Sequence, residues 1–342
     1  MMTLPRPPFE HVLRMSDGRG IFEHADGVNP RYECGYCLDD VARALVVVCR
    51  QRPVSPEVAA LTGRYFDFVV AAQAPDGLFH NRMDRYGAWE DEPTAGDWWG
   101  RALWGLGTAA ARCMHSSIRS AAMERFEISA AVRSPFPRAM AFAALGAAEV
   151  LAMLPGHRPS LDLMNAVVPV IGRPDFSRAW PWPQPRLEYA NAALAEALIA
   201  CGWCLGDNRV LADGLALLRW LLDIETSGEH LSVTGVGGWG PGDARPAFDQ
   251  QPIEVAALAD ACHRALRVTG DDEWAAGLRR AVGWFLGDND RGLALYDATT
   301  GGGCDALTPG GRNTNQGAES TLAMVATLQH GTDSMLGAES LV

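Results

Sequence analysis

Helix-forming stretches in this sequence are joined by connections that alternate between very short and very long, and few folds accommodate that rhythm. Apolar periodicity predicts helices near 36–51, 55–74, 96–113, 116–129, 136–154, 159–171, 187–204, 207–223, 249–269, 271–287 and 315–330, with one more short helix near the N-terminus. Within 36–51/55–74, 187–204/207–223 and 249–269/271–287 the two partners are only a few residues apart. The links that leave each pair, about 75–95, 172–186, 224–248 and 288–314, hold most of the Gly, Pro and Trp. Short turns at one end and long loops at the other describe six antiparallel hairpins closed into an all-α (α/α)6 toroid, its long loops gathered on one rim. A functional mouth belongs on that rim.

Two segments show the two kinds of helix such a ring needs. In 207–223, Leu211, Leu215, Leu218 and Leu222 form one apolar stripe, as expected of an outer helix. Segment 187–204 is alanine-rich almost all round, as expected of a helix with close neighbours on several sides. No low-complexity linker divides the chain, so the expectation is one toroid domain over 1–330 with a loose tail at 331–342.

Composition narrows the partners. A chain of 342 residues buries roughly 75% of its unfolded surface, enough for a core without staples. Acidic residues outnumber basic ones 41 to 29, and a net charge of -12 argues against nucleic acid or an anionic membrane as partner. Every basic residue is arginine. Without lysine there is no Schiff-base or pyridoxal chemistry and no P-loop amine, and no cofactor is expected. The proline-rich Met1–Phe9 has no apolar h-region and no long apolar run follows, which places the protein in the cytoplasm. Cys34/Cys37 and Cys201/Cys204 have the spacing of zinc or redox motifs, yet the pairs lie far apart and one falls within a helix; reduced thiols and no metal are expected.

Carboxylates and amides recur where a long loop feeds the next helix: Asp39 and Asp40, Asp97, Asp249 with Glu254, and Glu319. Each alone reads more readily as a helix cap than as a site residue. In a toroid they converge, and aromatic residues accompany them: Trp89, Trp98, Trp99, Trp180, Trp182 and Trp239 fall in or beside the long loops. Trp203, Trp220, Trp274 and Trp284 fall within helices and are expected in the core. Sugar rings stack on aromatic faces while Asp, Asn and Arg hold their hydroxyls, and glycosidic cleavage needs two carboxyl groups, one protonated and one ionised.

The motifs GYCLDDVARAL (35–45), DGLFHN (76–81), GDWWGRALWGLG (96–107), WPWPQPRLEYANAALAEAL (180–198), FDQQPIEVAALADAC (248–262) and NQGAEST (315–321) span most of the chain. On these the sequence resembles a bacterial family of six-hairpin, glycosidase-like toroid proteins often encoded beside or fused to glycosyltransferases. The resemblance implies a carbohydrate-active fold, an oligosaccharide as partner and a functional link to a glycosyltransferase. In that family's pattern a glutamate stands where this chain has Gln184, which points either to a deliberately inactivated form or to a natural loss of that carboxylate.

The reading that results is a glycoside hydrolase, or related transglycosylase, with Asp40 or Asp97 as general base and the acid position at residue 184. A carboxylate at a positive helix end is expected to stay ionised, and one beside Trp180 and Trp182 to hold its proton. Asp39, Arg43, His80, Asn81, Trp98, Trp99, Arg101, Asn191, Gln250, Gln251, Glu254, Asn315 and Glu319 are expected to position hydroxyls or brace the rim. Two other classes compete. An epimerase needs a histidine pair to move protons, and only His24, His80 and His230 fall on loops. A non-catalytic glycan-binding partner of a glycosyltransferase would tolerate Gln184. The Asp39-Asp40 pair also suggests a diphosphate-dependent terpene enzyme, but a second acidic cluster is missing.

Overall fold

A computed structural model describes residues 5–339. Twelve helices alternate between an inner and an outer ring. The inner ring is α2 (Leu38–Arg50), α4 (Asp97–Arg112), α6 (Pro137–Met153), α8 (Ala192–Leu205), α10 (Pro252–Thr269) and α12 (Ala318–Glu339). Each packs on the next, and α12 packs back on α2. Outside them lie α1 (Glu10–Arg14), α3 (Pro56–Ala72), α5 (Ser116–Ala130), α7 (Arg158–Ile171), α9 (Asn208–Ile224) and α11 (Asp272–Leu286). The chain is an (α/α)6 toroid, as the alternation of connections predicts. Helix α12 continues through part of the expected tail, and the remainder, 340–342, lies outside the described residues.

Small residues let the inner helices close. A Cβ on Gly107 would stand 2.3 Å from the Gly146 carbonyl, and one on Gly146 would stand 2.2 Å from the Leu103 carbonyl, so α4 and α6 meet backbone to backbone. Helix α6 is accordingly buried from Arg138 to Leu151. The outer helices bury one stripe each. On α9 that stripe is Val210, Gly214, Leu217, Leu218, Leu221 and Leu222, turned away from the expected Leu211 and Leu215. The reason is contact with α8, because a Cβ on Gly214 would stand 2.7 Å from the Ile199 nitrogen. The helices meet at a glycine, and the larger leucines flank it.

All the inner helices begin at the same rim. Three of the five long connections into it carry short antiparallel ladders of their own, the last of them two: β1 (Ala25–Asp26) with β2 (Asn29–Pro30), β5 (Thr226–Ser227) with β6 (His230–Leu231), β7 (Tyr296–Asp297) with β8 (Gly302–Gly303), and β9 (Ala306–Thr308) with β10 (Gly311–Asn313). One ladder joins two connections, with Cys37 of β3 (Tyr36–Cys37) opposite Arg82 of β4 (Arg82–Met83). Among the described residues no helix is long and apolar enough to cross a membrane.

Candidate active site

Helix capping does not account for the rim carboxylates. Side-chain caps are present on the outer ring, where Ser55 accepts from the Val58 N–H (3.4 Å) and Asp207 from the Arg209 and Val210 N–H groups (2.9 and 3.1 Å). The inner helices α2, α4, α8 and α10 start without one. Their polar side chains turn to one another instead.

On α2, Arg43 donates to Asp40 (2.9 Å) and pairs with Glu319 of α12 (2.8 Å), so the first and last inner helices are joined at the mouth. Arg101 of α4 pairs with Asp39 (2.9 Å) and lies 3.8 Å over the Phe142 ring of α6. Asp97 accepts a hydrogen bond from the Tyr189 hydroxyl. Arg138 of α6 donates to the Tyr189 carbonyl (2.5 Å) and to Glu188 (2.6 Å). Residue Ala190 has a φ of +46°, a left-handed conformation that L-residues avoid. Glu254 holds it there, accepting from the Ala190 and Asn191 backbone N–H groups and from the Asn191 amide (2.9 Å). The strained turn sets Tyr189 against Asp97.

Electrostatics separates the two carboxyl groups bet on as bases. Asp40 is 4% exposed. Burial pushes its carboxyl up to about 8, the Arg43 guanidinium opposing and Glu319 adding to the rise. The expectation that a helix N-terminus keeps Asp40 ionised meets the opposite tendency here: desolvation outweighs the dipole and favours the protonated form. Asp97 is also raised by burial, but the Tyr189 hydroxyl, Arg101 and Arg138 favour its ionised form. Glu254 is pushed up to about 8 by burial and by Glu225.

The remaining expected residues divide clearly. His80 stacks on Trp89 at 4.9 Å and reaches the Asp91 carbonyl (2.6 Å), while Asn81 takes the Cys37 thiol (3.2 Å); both brace the loop over α2. Asn315 accepts from the Gly27 N–H (2.9 Å), and Gln250 is engaged by Trp284 (3.1 Å) and Ala247 (2.8 Å). Gln251, the residue before α10, is half-buried and its amide makes no hydrogen bond among the described residues. Trp98 donates to the Phe79 carbonyl (2.9 Å), and Trp99 is fully buried with no face left for a sugar.

Gln184 lies apart from this cluster. Its amide donates to the Ile171 carbonyl (2.9 Å), at the end of outer helix α7. Trp180 meets Trp220 and Trp239 edge-on at 5.3 Å, and Trp182, 4% exposed, stacks on Trp220 of outer helix α9. These loop tryptophans pack together on the main core. The helical Trp203, expected in the core, is 60% exposed. Trp182→Ala should consequently cost about 3–5 kcal/mol in a denaturant melt. Trp203→Ala should stay within about 0.5 kcal/mol.

Glu23, Tyr189, Glu188 and Arg138 join the site without having been singled out in the sequence. Ligand atoms of Glu23, Cys37 and Asp40 lie within 4.8 Å of one another, a spacing that suits a cation. Two of the three are already engaged by arginines, Glu23 by Arg82 and Asp40 by Arg43.

Beneath the mouth the inner helices enclose a cavity of about 40 Å³, with Arg43 and Arg101 at its upper end and Arg50, Glu196 and Asp260 at its lower. The lower end carries ion pairs: Arg50 to Asp260 (2.7 Å), His330 to Asp260 (2.6 Å), Arg264 to Glu196 (2.8 Å) and Arg112 to Glu149 (2.7 Å). Beside the mouth a larger cavity of about 460 Å³ opens between the 26–29 turn and Asp297, Arg312 and Gln316.

Solved structures of sugar enzymes share this architecture. A cellobiose 2-epimerase from Spirochaeta thermophila is 13% identical, with a TM-score of 0.67 over 95% of this chain and 93% of that one. A D-mannose isomerase is 10% identical, with a TM-score of 0.69 over 95% of both chains. An alpha-mannanase from Bacteroides thetaiotaomicron is 13% identical, with a TM-score of 0.61 over 88% of both. No family model and no curated protein matches the chain.

Proposed function

We propose that this chain is a carbohydrate-active enzyme that hydrolyses a glycosidic bond, or transfers the glycosyl group, at the mouth of the toroid. The observation that carries the reading is the division of labour between two rim carboxyl groups. Asp40 is buried beside Arg43 and favoured in its protonated form, suited to protonate a leaving oxygen. Asp97, held by the Tyr189 hydroxyl, is suited to take a proton from water. The cavity of about 460 Å³ beside the mouth offers room for sugar units.

Proton transfer at a sugar carbon would need histidines, and here His80 is occupied with Asp91 and Trp89 while His24 lies 3.6 Å from Glu23 at the surface. The deciding experiment incubates the protein with a panel of gluco- and manno-oligosaccharides and follows both reducing ends and product mass. New reducing ends with shorter products are expected. A product of unchanged mass and altered stereochemistry would replace the reading with an epimerase.

In this arrangement residue 184 is a structural anchor. Gln184→Glu removes the amide donor to the Ile171 carbonyl and should destabilise the fold by about 1–3 kcal/mol. Turnover of the folded variant should change by less than about two-fold, against the about 100-fold or greater gain expected of a restored general acid.

A further inference from the structure

The short-turn end of the toroid carries a pair of thiols that the proposed carbohydrate chemistry does not use. Cys49 is the penultimate residue of α2, and Cys113 is the residue that follows α4. The two helices both run from the rim to this end, and they approach closely where a Cβ on Gly105 would stand 3.1 Å from the Ala42 carbonyl. Cys49 lies two turns beyond Ala42 and Cys113 two turns beyond Gly105, roughly 10 and 12 Å along their helices, so the thiols arrive at the same level.

Arg52 fixes the two helix ends together, donating to the Cys49 carbonyl (3.2 Å) and to the Arg112 carbonyl (2.6 Å). The two thiols face the same space at this end of the helices. Both line a cavity of about 170 Å³ whose outer wall is formed by the exposed Arg52, Met114 and His115. That volume admits a molecule the size of hydrogen peroxide.

We propose that Cys49 and Cys113 form a redox modification site, where a small hydroperoxide oxidises the two thiols to a disulfide joining α2 to α4. The neighbouring Cys49 thiol and the backbone N–H of His115 draw the Cys113 thiol down to about 6 against the opposing effect of burial, whereas Cys49 is pushed well up. Cys113 is therefore the attacking thiolate. Its sulfur takes one peroxide oxygen, the O–O bond breaks and the other oxygen leaves as water after gaining a proton. The Cys49 thiol then attacks the sulfenic sulfur; the S–S bond forms, the S–O bond breaks, and the hydroxyl leaves as water with the Cys49 proton. In sum, two thiols lose two electrons and two protons, and hydrogen peroxide becomes two waters.

The test treats the reduced full-length protein with a slight excess of hydrogen peroxide, blocks free thiols and maps peptides by mass spectrometry without reductant. A 49–113 cross-link reversed by dithiothreitol is expected, with titratable thiols falling from eight to six. Cys113→Ser should abolish the link, and Cys49→Ser should leave a sulfenic acid at Cys113 that dimedone traps. Oxidation of the other cysteines without a 49–113 link would overturn the proposal. So would Cys113 sulfinic acid in the unsubstituted protein with Cys49 still alkylatable.

Discussion

Asp40→Asn should lower turnover by about 100- to 10,000-fold while oligosaccharide affinity, read by calorimetry, changes only a few-fold. An amide fills the same space and can still meet the Arg43 side chain through its oxygen, and Glu319 continues to pair with that guanidinium (2.8 Å). What the variant lacks is a proton acidic enough to leave. The unsubstituted enzyme should show the same dependence as a pH profile. An acid raised to about 8 works below that value, so turnover should fall as pH rises through 8. A base must be ionised, so turnover should also fall on the acid side, at a pH above the ordinary aspartate range because Asp97 is raised by burial. The limb near 8 should vanish in Asp40→Asn. Turnover within about three-fold of the parent, in a variant that melts normally, would remove Asp40 from the reaction.

A large effect on stability, one that depends on pH, is expected from the opposite end of the lumen. Burial alone would raise the Asp260 carboxyl, but Arg50 and then His330 outweigh it and hold the group well below the usual carboxylate range. Asp260→Ala leaves Arg50 facing only Glu149 at 4.0 Å and His330 without its carboxylate, and should cost about 3–5 kcal/mol in a urea melt. Because the folded-state pKa is depressed, this contribution is complete above the unfolded value of about 3.9 and is lost as pH falls below it. The gap between parent and variant should be wide at pH 6 and narrow progressively in acid below about pH 4. A gap of constant size would mean that Asp260 acts through packing, not charge.

Much of the toroid was legible in the sequence because connection length reports on which helix ends meet, and the alanine-rich stretches mark helices with neighbours on several sides. The rim residues were legible for the same reason wherever a long loop feeds an inner helix. Arg138 was not, since α6 is the one inner helix reached by a short link, Ala131–Phe136, and nothing in its sequence separates it from a surface arginine. Tyr189 and Glu23 depend on partners far along the chain, which no local pattern encodes. Tryptophan misled in both directions. Trp180 and Trp182 have the composition of a sugar platform, yet Trp220 and Trp239 meet them and complete an apolar cluster. Asp40 was read from its position at a helix start, while its behaviour follows from burial that only the closed ring creates.

The closure of α12 against α2 makes order of synthesis matter. Asp40 reaches the ribosome's exit early, whereas Glu319, which shares Arg43 with it, is among the last residues to appear. At about 5–20 residues per second, Arg43 and Asp40 wait roughly 14–55 s for that partner. Late in that interval, once α10 has been made, five inner helices form an open arc whose apolar edges on α2 and α10 await α12. The mouth is therefore the last part of the molecule to exist, and a nascent chain stalled before α12 is an aggregation-prone arc with no assembled site.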